Sequence, residues 1–195
     1  MKNETTQSIY KVQKLPNLQY SLLNDKGEVI PLPIGKVERD QFEWLYIHNN
    51  GFIKAKHNGK YYAFKLADLT PIELFIKGEY RVAFYWLKIH DNGIIEAIHN
   101  ARWYAFKLAD LTPIALVING KRVVVFTALN IHDNGFITAK HGKWYGFNPD
   151  LTPIERVING EPVVAFTRLY IHDNGEIEAN HNGKWYDFNA MALPS

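Results

Sequence analysis

All eight histidines of this 195-residue chain occupy two positions of one short motif, nine residues apart. The motif reads IHNNGFIKAKH from Ile47, IHDNGIIEAIH from Ile89, IHDNGFITAKH from Ile131 and IHDNGEIEANH from Ile171. Paired imidazoles beside Asp-Asn-Gly are the residue types of a zinc or calcium site, or of acid–base chemistry. Geometry argues against a metal held within one copy. If Asp-Asn-Gly closes a hairpin, the residue opposite His48 lies near Gly51 or Phe52. His57 then sits five or six residues further on, about 17–20 Å away at ~3.3 Å per residue. Zinc needs nitrogen ligands within about 2.1 Å of the ion. Only a site shared between copies stays open, and calcium is disfavoured because no full ligand loop follows the turn. We expect no metal and no cofactor.

Parity separates the two series. Ile53, Ala55 and His57 share one side of a strand, and their counterparts are identical in every copy. The first reading of His57, His99, His141 and His181 is therefore structural: a buried imidazole that bonds a turn or a neighbouring copy. The residues between them read Phe/Ile/Phe/Glu, Lys/Glu/Thr/Glu and Lys/Ile/Lys/Asn, which predicts a mostly solvated side. His48, His90, His132 and His172 share their side with Tyr46, Lys88, Asn130 and Tyr170, which vary, and bracing the turn is their simplest role. Tyr61, Trp103, Trp144 and Trp185 form a third series, opposite Tyr62 and Phe64 and their counterparts. They either pack between copies or, if exposed, form an aromatic row for sugars or a protein partner.

The elements that position these residues repeat as well. The copies start at Leu45, Leu87, Leu129 and Leu169, spaced 42, 42 and 40 residues. Each reads as an antiparallel meander: Leu-x-Ile-His, the turn, x-Ile-x-Ala-x-His, a second turn, then Lys-Trp-Tyr-x-Phe. DLTPI comes next, at Asp68, Asp110 and Asp150, and a further hairpin leads to the following copy. Phe84 and Leu87 have opposite parity, so a bulge or bend is expected near Tyr85 and Trp86, and likewise before Leu129 and Leu169. The expected fold is all-β, with about four and a half units and no helix. The units are 45–86, 87–128 and 129–168, with partial copies at 10–44 and 169–195, where Tyr20 aligns beneath Tyr186. No linker interrupts them, so residues 1–195 read as one domain. Units of this size suit a small propeller-like ring, and an open β-repeat solenoid is the alternative.

QYSLLNDKGEVIPL (Gln19–Leu32), NNGFIKAKHNGKYYAF (Asn49–Phe64) and GFITAKHGKWYGFNPDLTPI (Gly135–Ile154) resemble the bacterial WG repeat family. The likeness covers most of the chain. Tyr62, Tyr104, Tyr145 and Tyr186 stand where that family carries its defining glycine. The resemblance implies an all-β repeat protein of mostly unassigned, non-enzymatic role, and it brings no catalytic residues.

Composition narrows the function. Basic and acidic residues nearly cancel, 22 against 20, and are scattered singly, so neither nucleic acid nor a membrane surface is an expected partner. There is no cysteine, no apolar run of membrane-spanning length and no signal-peptide pattern, which makes a cytoplasmic location the expectation. The three serines lie in no nucleophile motif, and the carboxylates recur by symmetry instead of forming one asymmetric catalytic set. The chain reads as no enzyme. Its leading reading is a non-catalytic module that binds another protein, such as a bacterial immunity or antitoxin-type inhibitor. The alternative is a carbohydrate-binding lectin with one site per repeat, and a plain structural spacer is a third reading.

Overall fold

The computed structural model describes residues 10–189, among which there is no helix. Five three-stranded sheets alternate with four two-stranded hairpins. The three-stranded sheets comprise Lys11–Lys14, Tyr20–Leu23 and Val29–Ile30; Trp44–His48, Phe52–His57 and Lys60–Lys65; and Trp86–Ile89, Ile94–His99 and Arg102–Lys107. Two more comprise Ala128–Ile131, Ile137–His141 and Lys143–Phe147, and Arg168–Ile171, Glu176–His181 and Lys184–Asn189. The last four are named the Leu45, Leu87, Leu129 and Leu169 sheets. The hairpins are Leu32–Ile34 with Val37–Arg39, Leu74–Ile76 with Glu79–Arg81, Leu116–Ile118 with Lys121–Val123, and Arg156–Ile158 with Glu161–Val163. No sheet exceeds three strands, so the described residues form no closed barrel. No helix is long and apolar enough to cross a membrane.

The second turn of each meander shows how sequence sets register. Asn58-Gly59 and Asn182-Gly183 have positive φ at both residues, the two-residue geometry that matches strand twist. The Leu129 sheet makes the same connection with Gly142 alone, the position of its one-residue deletion. His141 pairs with Lys143 across it, so the strands keep their register.

By its contacts the chain divides into two compact units, Met1–Leu87 and Lys88–Ser195. In the first, Leu22, Leu32, Phe42, Leu45, Ile53, Ala55, Tyr62 and Phe64 form the core. In the second, one core gathers Leu116, Phe126, Leu129, Ile137, Ala139 and Phe147, and another gathers Ile154, Phe166, Leu169, Ile177 and Ala179. The repeated Ile and Ala of the second strand are completely buried in all four sheets, as parity requires. Each such Ile contributes roughly 1.5–3 kcal/mol by leaving water.

The parity break resolves as a bend. Phe84 pairs by main chain with Tyr61 and belongs to the preceding sheet, the chain bends at Tyr85, and the next strand starts at Trp86. Phe126 with Trp103 and Phe166 with Trp144 repeat the pattern, with bends at Thr127 and Thr167. Phe42 pairs with Tyr20 in the same way. Tyr20 therefore corresponds to Tyr61 and Trp144, one position away from the alignment beneath Tyr186. The alignment slips by one because tyrosines occupy adjacent positions at Tyr61 and Tyr62.

DLTPI is a turn of fixed chemistry. Asp68, Asp110 and Asp150 each accept hydrogen bonds from the main-chain N–H and the hydroxyl of the threonine two residues on. Those bonds, the hydroxyl first, hold all three carboxyls below their ordinary range.

The expectation of a solvated second side is corrected. Glu96, Thr138 and Phe136 are each only 4% exposed. Within the second unit this side is covered by the succeeding sheet: Ile94, Trp103 and Ala105 pack into the core built around Phe126 and Leu129. At Gly146 an added Cβ would lie 3.0 Å from both Ile154 and Leu169. Glu176 and Glu178, on the Leu169 sheet, are exposed. A single meander read alone looks two-faced, but within the second unit a succeeding sheet covers the second side.

Candidate functional site

The histidines at the ends of the second strands are less buried than expected. His57, His99 and His181 are half-buried, and His141 is exposed. The packed row ends at the alanine, because the histidine already stands at the hairpin tip, where His57 pairs with Lys60. His57 still closes the rim of its core, with its ring edge-on to Phe42 at 6.1 Å.

The other histidine series acts across the hairpin. In each copy the turn is closed by the histidine's main-chain carbonyl, which accepts from Gly51, Gly93, Gly135 or Gly175. In three copies the imidazole then meets the residue six positions ahead, diagonally across the sheet. His90 Nε2 lies 3.0 Å from Glu96, with both side chains buried. His172 Nε2 lies 3.0 Å from Glu178, with both exposed. His132 Nε2 accepts from Asn130 Nδ2 at 3.1 Å and lies 3.4 Å from Thr138 Oγ1. Burial lowers the pKa of His132, more than Asp173 and Asp133 raise it. A neutral ring that accepts at Nε2 fits both observations.

Position six ahead is therefore where the copies differ in chemistry: Lys54, Glu96, Thr138 and Glu178. In the Leu45 sheet, Lys54 Nζ sits 5.3, 4.9 and 5.9 Å from the rings of Trp44, Tyr61 and Trp86. The ammonium stands among three π faces, each an electrostatic attraction. Tyr46 stacks on Trp44 at 5.9 Å and meets His48 edge-on at 4.8 Å.

In the Leu129 sheet the same place is open. Thr138 ends short, and a cleft of about 470 Å³ is lined by Asn130, His132, Thr138, Trp144, Arg168, Leu169, Tyr170, Ile171 and His172. Register explains the contrast: Trp44 and Trp86 become Ala128 and Arg168, so two of the three rings are gone and a guanidinium stands in place of one. Asn134 Nδ2 donates to the carbonyls of His172 and Asp173 and ties the turn of the Leu129 sheet to that of the Leu169 sheet.

Of the candidate residues, Asn130, His132, Trp144, Tyr170 and His172 thus converge on one cleft. Tyr46, His48 and Tyr61 gather instead around or beside Lys54. His90 lines a smaller cavity of about 250 Å³ with Asp91, Asn92 and Asp133. Lys88 is exposed and lines neither, and Trp103 packs into the core. Trp144 and Tyr61 are half-buried, whereas Trp185 is 44% exposed and stacks on Tyr170, 50% exposed, at 5.9 Å. Thr138 and Arg168 are cleft residues that sequence reasoning does not single out. The signal that could have found them is that positions 54/96/138/178 and 44/86/128/168 change chemical class inside a constant frame. Among the described residues no group of three or more His, Asp or Glu is placed to hold a metal. No protein-family model and no curated protein matches the chain.

Proposed function

We propose that this chain is a non-catalytic β-repeat module that binds another protein through the region around Tyr170, Trp185 and the Trp144 cleft. The observation that carries this reading is the convergence of Trp144, Arg168, Tyr170 and Trp185 beside one cleft. Trp, Tyr and Arg dominate the binding energy of protein interfaces: the two aromatics add a large contact area with few torsions to freeze, and Arg adds a planar fork of charge-assisted donors. An immunity or antitoxin-type inhibitor is the form we propose, since the chain carries no nucleophile motif. The ~42-residue units, the likeness to WG repeats, and a propeller-like ring or open stack belong to the same proposal. The repeated main-chain pairs at Phe84, Phe126 and Phe166 support the repeat.

The lectin alternative calls for one equivalent pocket per copy. Lys54 among its rings and Glu96 bonded to His90 place different side chains at the position of Thr138, which favours a single asymmetric site. A photo-reactive residue at position 170, introduced in the native source, is expected to cross-link one discrete protein. The same residue at Tyr80, which is 69% exposed, is expected to give none. Identical products from both positions, or none from 170, would count against the reading.

A further inference from the structure

We infer that the Trp144 cleft receives a carboxylate side chain, Asp or Glu, from the protein partner, with Arg168 as its counter-ion. The inference rests on the protein-binding reading and adds the chemistry of the occupant.

The Leu45 and Leu129 sheets show how the site arises. At the same position the former sends its own cation, Lys54, between aromatic rings, while the latter sends the short Thr138 and leaves a cleft. The cation there comes from the opposite wall, Arg168, with which no acidic side chain pairs among the described residues. The carboxylate at this end of the Leu169 sheet, Glu178, is engaged by His172 Nε2 at 3.0 Å. Asn130 Nδ2 and the Thr138 hydroxyl both meet His132 Nε2, which leaves the Tyr170 phenol as a further donor at the cleft. Arg168 directs a planar fork of N–H donors that a carboxylate meets with two parallel bonds, and the Trp144 indole walls the site against water. Lysine is the wrong occupant, because it would face Arg168 with only one ring of the three that hold Lys54.

The test is a titration of the full chain, followed by NMR at the Trp144 indole N–H and the Arg168 Nε–H. Acetyl-glutamate methylamide is the probe, acetyl-glutamine methylamide its neutral isostere, and glucuronate a sugar acid. The glutamate probe should give saturable shifts at both groups and bind at least ten-fold tighter than the glutamine probe. R168Q should abolish that preference, and T138K should remove binding by filling the cleft. If T138K does not fold, R168Q alone decides. Equal binding of the two amides, tighter binding of glucuronate, or no saturable shift overturns the inference. Cross-linking from position 170 separates the two claims. Loss of the cross-link in R168Q supports both, and its persistence in R168Q leaves a protein binder but removes the carboxylate. Its absence from the native chain removes the protein partner, and the titration then decides the cleft by itself.

Discussion

The Leu45 and Leu129 sheets share a strand pattern, a turn and a buried Ile-x-Ala row, yet one is closed where the other is open. Lys54 fills its place with a side chain drawn in by Trp44, Tyr61 and Trp86. Thr138 leaves a cleft of about 470 Å³. Three substitutions at equivalent positions account for the difference: Lys54 to Thr138, Trp44 to Ala128 and Trp86 to Arg168. A repeated frame keeps its core constant and opens a cleft where side chains differ in two neighbouring copies.

The comparison breaks most readily at the third strand. Gly146→Ala should destabilise by about 1–3 kcal/mol in urea unfolding, because its Cβ would meet Ile154 and Leu169 at 3.0 Å. The matching change in the Leu45 sheet, Ala63→Gly, should cost only about 0.5–1 kcal/mol. A loss at Gly146 no larger than that at Ala63 would mean that Ile154 and Leu169 leave room for a Cβ. Next in size, Lys54→Ala should cost about 0.5–2 kcal/mol and shift the emission of the surrounding rings. Thr138→Ala should leave emission nearly unchanged.

His132 sharpens the comparison through pH. Its pKa is lowered, so the unfolded chain binds the extra proton first as pH falls below the ordinary value of 6.5. Stability should therefore rise with pH across the interval between the lowered value and 6.5, then level off, and H132Q should flatten that rise. A melting-temperature series in buffers spanning the interval checks this, and an unchanged slope in H132Q would assign the titration elsewhere. The smallest effect is expected at the connecting turn. Thr70→Val removes the hydroxyl bond to Asp68, so the Asp68 carboxyl should titrate closer to its ordinary value in NMR, with Asp110 unmoved.

Much of this frame is legible in the residues alone. Strand parity identifies Ile53 and Ala55 and their counterparts as core, and the opposite parity of Phe84 and Leu87 places the bend that occurs at Tyr85. Parity states which residues share a side but not what lies against it. It therefore assigns the sides of Glu96 and Thr138 to solvent, although both residues are buried. It also sets His141 with Ala139 on the packed side, but packing stops one residue pair short of the hairpin tip. Five of the nine residues lining the cleft belong to the turn-histidine, variable and aromatic series. Arg168 and Thr138 escape because each gains meaning only when two sheets are set against each other.

The most direct test exchanges the two side chains that separate the sheets. T138K places a lysine in the open cleft, and K54T removes the one that fills the closed place. With a photo-reactive residue at position 170, the account predicts that K54T retains the cross-linked partner and that a folded T138K loses it. A folded T138K that cross-links the same partner as efficiently as the native chain would contradict the claim that the open cleft is the binding site.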